Sequence, residues 1–251
     1  MLMRKTIKKA ALELILIFAG ISLALGLENW IASVQLANQE KQLLSEMLSD
    51  LEETQLDLLD DMRVLQNITA YMETLIDHLN VASSGSDLNI ATELSEDLKN
   101  IALVCETRNF VVPKTAAYTS IQSLGLDLIR NDSLRTAITN FYELAVSRIA
   151  TTERTVQDIA STECWSYINN HFSWLGPINV ETFTTQLGTY RNVNINNLAP
   201  REGNIDRFLQ DDSFRTLVSR LLFRRSIVLR NYRNANDEIE ELKSAIEGEI
   251  S

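Results

Sequence analysis

A nearly continuous apolar run, AALELILIFAGISLALGL, covers the 18 residues Ala10 to Leu27, and a seven-residue repeat begins where it ends. A helix needs roughly 20 residues to cross the hydrocarbon core, with about 17 as a lower limit. Ile7 and Trp30 extend the run at its two ends, so residues 10–30 predict one transmembrane helix. Beyond it, Trp30, Ala37, Leu44, Leu51, Leu58, Leu65, Met72 and Leu79 recur every seventh residue. Val34, Leu48, Met62 and Ile76 fill a second seam, with polar gaps at Lys41, Gln55 and Thr69. Such sustained periodicity predicts one coiled-coil-like helix over 31–82, continuous with the membrane span. Ser83, Ser84, Gly85 and Ser86 then break the chain.

The remainder, 83–251, reads as further helices of a bundle. Leu88, Ala91, Leu94, Leu98, Ile101 and Val104 predict a short helix over about 87–106. A turn follows at 109–113, and Thr115 is placed to cap a helix reaching about Ile129. Asp132 or Ser133 is placed to cap the next, whose looser stripe of Leu134, Ile138, Phe141, Ala145, Ile149, Val156 and Ile159 leads to about Phe172. About 176–211, rich in Asn and Thr, reads as an irregular loop with short helical turns and as the best place for a variable or binding loop. The last helix, about Asp212 to Glu247, carries two seams. One is Phe214, Leu221, Val228, Ala235 and Leu242; the other is Val218, Arg225, Tyr232, Ile239 and Ile246. With Pro only at 113, 177 and 200, the expected class is all-α.

Charge sets the expected orientation. Arg4, Lys5, Lys8 and Lys9 precede the apolar run and Glu28 follows it. Positive flanks stay inside, so 1–9 reads as a cytoplasmic basic tail and the bulk of the chain as extracytoplasmic. The basic start and Ala24-Leu25-Gly26 also resemble a signal peptide cleaved after Gly26. The length of the run, Glu13 within it and the unbroken helical pattern favour a retained anchor. Glu13 is either an intramembrane functional acid or an edge carboxylate within reach of Lys9 and the interface. Gly20 with Ala24, and Ser22 with Gly26, would let another helix approach closely. Trp30 suits the head-group level.

The chain carries a net charge of −11; without its first four basic residues, 19 basic face 34 acidic residues, a net of −15. That opposes nucleic acid or an anionic membrane surface as partner. The charge is also segregated. Glu46, Asp50, Glu52, Glu53, Asp57, Asp60 and Asp61 crowd the first long helix; Arg215, Arg220, Arg224, Arg225, Arg230 and Arg233 crowd the last. If the two pack antiparallel with residue 247 beside residue 33, these segments coincide, and Asp50, Glu53, Asp57 and Asp60 would face Arg220, Arg224, Arg225 and Arg230. Two solvated faces that never meet would explain the same pattern.

Cys105 and Cys164 are the only cysteines. Each sits in an apolar context that suits a buried free thiol, the reading slightly favoured, although an oxidising compartment would permit a bond. There is no phosphate-binding glycine loop, nucleophile elbow, H-E-x-x-H or zinc spacing. His78 and His171 sit near helix ends, where a dipole partner is the ordinary reading. The acids at Asp57, Asp60 and Asp61 lack calcium-loop geometry. Arg130, Asn131 and Asp132, near Tyr118, read as capping residues. No cofactor, metal or catalytic residue is expected, and no ligand can be named.

The block ELILIFAGISLALGLENW with the acid-rich heptads behind it resembles the amino terminus of a bacterial membrane-protein family, domain of unknown function 6090. PKTAAYTSIQSLGLDLIRNDSLRTAITNFYE, residues 113–143, is similar to its internal motif, and Phe214, Leu217 and Arg224 to Tyr232 fit its closing pattern. By this resemblance Glu13, Gly20, Asn29 and Trp30 match the membrane-exit pattern, and Pro113, Thr115, Tyr118, Gly125 and Leu128 the central motif; Asp127 departs from it. The family implies a bacterial inner-membrane protein without assigned chemistry.

The sequence therefore predicts a non-enzymatic, single-pass inner-membrane protein with a periplasmic helical bundle. Its expected partners are the bilayer and a second copy or another membrane protein. The alternative is an extracytoplasmic sensor or accessory subunit, which would need a partner helix because only about nine residues lie inside.

Overall fold

The first element, α1 (Leu2–Ser83), is a single helix of 82 residues, about 123 Å long at 1.5 Å per residue. The computed structural model describes residues 2–83, 101–105, 111–174, 179–185, 188–194, 198–200 and 211–251, with side chains for 16–81, 101, 104–105, 111–173 and 211–251. Most of the helix expected over 87–106 lies outside these residues; its end, α2 (Ala102–Cys105), is helical. There follow α3 (Ala116–Leu124), a 3-10 turn (Leu126–Leu128) and α4 (Asp132–Asn140). A π turn (Phe141–Ala145), α5 (Val146–Ile159), a second π turn (Ala160–Cys164) and α6 (Trp165–His171) continue α4 as one rod. The last helix is α7 (Asp212–Ile250). The fold is all-α in class.

Three rods make the core. α1 rises from residue 40, the 132–171 rod rises beside it, and α7 descends antiparallel to both. Tyr167 Oη donates to Asp211 Oδ2 (2.6 Å) at the upper end, and Asn131 Nδ2 donates to Glu249 Oε2 (2.8 Å) at the base. Both α7 seams are buried throughout, including Arg225. On α1, Leu44, Leu51, Leu58, Met72 and Leu79 are buried as the heptad predicts. A further row is buried that the sequence reading passed over, Glu40, Met47, Thr54, Ile68 and Leu75, and Asp61 stands on it half-buried. Below Glu40 the helix is exposed: Leu27, Trp30, Ile31, Val34 and Leu36 all face outward.

The antiparallel direction of α1 and α7 agrees with expectation; the register does not. Gln55 was expected beside residue 225. Instead its Nε2 donates to Asn236 Oδ1 (3.1 Å) and to Glu240, and Lys243 Nζ donates to its Oε1 (3.0 Å). Arg225 Nη1 lies 3.1 Å from Met72 Sδ. The helices are thus displaced by about 15 residues, roughly 22 Å. Apolar burial explains the shift. The stripe from Leu44 to Leu79 matches the stripe from Phe214 to Ile246 in length only when residue 44 lies near the end of α7. Each buried apolar side chain contributes about 1.5–3 kcal/mol, against about 0–1 for an exposed ion pair.

One consequence is an acidic base. The acids of 46–61 lie beside a segment that carries Asp237, Glu238, Glu240, Glu241, Glu247 and Glu249. Added salt screens this repulsion, so the thermal midpoint rises between about 10 mM and about 0.5 M sodium chloride. The register expected from charge alone would make it fall.

The stretch after α6 is not the expected loop with helical turns. β1 (Phe172–Trp174) pairs antiparallel with β4 (Leu198–Pro200), and β2 (Asn179–Thr185) with β3 (Gly188–Asn194). The register places Val180 opposite Val193 and Phe183 opposite Tyr190. Thr, Val, Phe and Tyr are strand formers, and their density here was the missed signal. Cys105 and Cys164 are joined as a disulfide with Cα atoms 5.3 Å apart, so the free-thiol reading is corrected. It ties α2 to the second π turn. Two helical thiols in apolar surroundings have the same local sequence whether paired or not; only the packing of α2 on the rod brings them together.

Candidate functional site

A buried carboxyl and a half-buried one face the region where α1, α5 and α7 meet. Asp61 comes from α1, on the row between Thr54 and Ile68. Glu153 comes from α5, at a position that interrupts the apolar stripe of Ile149 and Val156. It is 7% exposed. Tyr232 Oη donates to Glu153 Oε1, as does the backbone N–H of Val111 (3.2 Å). Glu153 Oε2 and Asp61 Oδ2 are both buried with no hydrogen-bond partner among the described residues.

The electrostatics follow from that geometry. Burial pushes the Asp61 carboxyl up to about 7, and the charges of Asp57, Glu153 and Asp60 push in the same direction. Burial likewise raises Glu153 to about 7, opposed by the hydrogen bonds from Tyr232 and Val111 and assisted by Asp57. Burial and the adjacent Glu153 hold the Tyr232 hydroxyl far above its ordinary range. Burial thus keeps both carboxyls protonated up to the neutral range. Among the described residues, no three acids, histidines or cysteines are placed to hold a metal ion.

Acids of the first helix serve mainly as tethers for the crossing segment. Asp50 Oδ2 accepts from the backbone N–H of Ala117 (2.9 Å), and Thr54 Oγ1 accepts from that of Lys114 (2.9 Å). Thr115, expected to cap α3, makes no side-chain capping bond; the cap comes from Asp50 on another helix. Asp50→Asn keeps the shape but removes the charge at a helix amino terminus, and should cost about 1 kcal/mol, read as a lower denaturant midpoint. Glu53 faces Lys114 (3.6 Å) and Asp60 faces Arg63 (2.8 Å). Glu40, 2% exposed, accepts from both the backbone N–H (2.8 Å) and Nε (2.7 Å) of Arg130.

The arginines of α7 do not meet those acids. Arg220 pairs with Glu163, Arg224 lies over the Phe223 ring at 6.0 Å, Arg225 is buried against Met72, and Arg230 is exposed. The paired helix faces expected of Asp50, Glu53, Asp57 and Asp60 are therefore not formed within the chain.

The central motif is structural. Tyr118 stacks on Tyr142 with centroids 4.3 Å apart and donates to Glu143 Oε1 (2.9 Å). Gly125 has φ 107°, a left-handed conformation that favours glycine, and ends α3. Pro113 and Leu128 are half-buried. Asn131, not Asp132 or Ser133, caps α4: its Oδ1 accepts from the backbone N–H groups of Ser133 (3.1 Å) and Leu134 (3.2 Å). Gly20, Ala24 and Trp30 are exposed on α1, and the Glu13 side chain lies outside the described residues.

A cleft of about 540 Å³ opens between α4, the first π turn and α7. Leu134, Phe141, Ala145 and Leu242 line it, with Arg148 and Glu238 also on its wall. Burial raises the Glu238 carboxyl, against the pull of Arg148.

Sequence reasoning named Asp61 only as one of an acidic crowd and did not single out Glu153 or count Tyr232 beyond its seam. A usable signal existed for Glu153, which interrupts the apolar stripe of Ile149 and Val156, whereas the row of Asp61 also holds Glu40 and Thr54.

Fold and site together describe an all-α bundle carried on its own first helix. That helix is the one among the described residues long and apolar enough to cross a membrane, with mean hydropathy 1.5 over its most apolar 18 residues, none of them buried. No family profile, curated protein or solved structure matches the chain.

Proposed function

We propose that this chain is a non-enzymatic, single-pass interaction protein of a bacterial inner membrane. Its amino terminus is cytoplasmic, its bundle is periplasmic, and it self-associates through α1. The observation that carries the reading is a helix whose apolar residues, Leu16 to Leu27, are covered by nothing among the described residues, and which runs on without a break into a packed bundle. Exposed apolar area of that extent is stable in lipid and a liability in water. The basic residues before the run support the orientation. The Cys105–Cys164 disulfide supports an oxidising compartment for the bundle. The resemblance to domain of unknown function 6090 agrees with that placement.

A second reading, an extracytoplasmic sensor or accessory subunit, is favoured by the carboxyl pair and the cleft beside α7. It needs a partner helix to carry a signal inward.

Alkaline extraction of membranes, amino-terminal sequencing of the mature chain and maleimide labelling of Ser251→Cys in intact spheroplasts test the first reading together. The chain should stay with the membrane, retain residues 10–27 and be labelled from outside. A mature protein that begins at Leu27 and is extracted freely would overturn it.

A further inference from the structure

We infer that the outward face of α1 below the bundle is a parallel pairing seam for a second copy of this chain, an inference that rests on the membrane anchorage proposed above. Ile17, Gly20, Ala24, Leu27, Ile31, Val34 and Asn38 follow one another at alternating spacings of three and four. Written as heptads, Ile17, Ala24, Ile31 and Asn38 occupy a, while Gly20, Leu27 and Val34 occupy d. Branched Ile at a with Leu at d favours two parallel strands, and a single Asn at a sets register and partner number. Gly20 and Ala24 allow close backbone approach within the apolar part.

The structure adds that nothing among the described residues covers this side of the helix, which is exposed all round from residue 16 to residue 36. Ile17, Leu27, Ile31 and Val34 are 62%, 57%, 45% and 41% exposed. At about 100° per residue, their face lies roughly 140° around the helix from the Leu44, Met47 and Leu51 face that enters the bundle. The seam is thus not a continuation of the internal core. It ends where that core begins: Val34 is its last apolar member and Glu40 is the first buried residue. The helix changes the face it buries at that point.

A second copy fits this seam better than an unrelated helix. Two chains anchored by the same span stand parallel at equal depth, so Ile31 meets Ile31 and Asn38 meets Asn38, whose amides can hydrogen-bond to each other. Each bundle then lies on the side away from its partner, which keeps the two acidic bases apart.

Single cysteines at Leu27, Ile31, Val34 and Asn38, and at Asn29, Ser33 and Leu36, can be compared in the full chain in native membranes, with Cys105 and Cys164 left paired. A short bis-maleimide should link the first set several-fold more than the second. Ile31→Glu should abolish linking through Val34→Cys while leaving the thermal unfolding of the bundle unchanged. Equal yields, or a maximum at Asn29, Ser33 and Leu36, in chain that resists alkaline extraction would overturn the seam and leave anchorage standing. Seam-patterned links in chain that is extracted freely would overturn anchorage and leave the seam.

Discussion

Reducing the Cys105–Cys164 bond lowers the stability of the bundle by about 4 kcal/mol. The bond closes a loop of 59 residues, and closing a loop of that length in the unfolded chain removes entropy worth about 4 kcal/mol, within the range of about 2–5 seen when native disulfides are lost. It is also the covalent link between α2 and the rod. Denaturant titration of the full chain in detergent, with and without reductant, should show a lower midpoint after reduction. Cys105→Ala with Cys164→Ala should reproduce the reduced curve. Unchanged midpoints in both would mean that the bond does not form in the native chain.

The second large effect is an inverted pH dependence that arises at Asp61 and Glu153. In the folded chain both carboxyls keep their protons to about pH 7, while the ordinary values are 3.8 and 4.5. Between those limits the folded chain binds more protons than the unfolded one, so unfolding free energy from this pair falls as pH rises from about 4 to about 7 and is flat above. Asp57, Asp60 and Tyr232 face the same pair and act in the same direction or donate to it. Asp61→Asn removes one of the two charges and offers an amide donor near Glu153. After allowance for partial solvent screening of Asp61, the gain at pH 8 is about 1–2 kcal/mol. That corresponds to a rise of roughly 2–8 °C in the thermal midpoint. At pH 5 the wild type should equal or exceed the variant. A variant less stable than the wild type at pH 8 would show that the Asp61 charge is compensated.

Several parts of this were readable before any fold. The a and d rows of α7 and the leucine row of α1 are long, regular and apolar, so period alone identified them. The end of α1 near Ser83 announced itself through turn chemistry, whereas the cap of α4 falls on Asn131 and not on the expected Asp132 or Ser133, and α3 stops at Gly125 and not near Ile129. The disulfide, the strands of 172–200 and the acid pair were not readable in the same way. A cysteine pair depends on two elements 59 residues apart meeting. A polar residue in a heptad looks the same whether it faces water or a second helix. Glu40, Thr54 and Asp61 became buried or half-buried only because other elements covered a side of α1 that its own leucines do not mark, and Glu153 of α5 only because Val111, and Tyr232 of α7, cover it.

The sequence by itself determined the apolar start, the helical class and the faces of two long helices, because these depend on residues within a few turns of one another. Tertiary packing decided the register of α1 on α7, because burying two apolar stripes of matched length outweighs a row of exposed ion pairs. It also decided that acids stack near acids at the base, and that α1 from residue 16 to residue 36 is left exposed on every side.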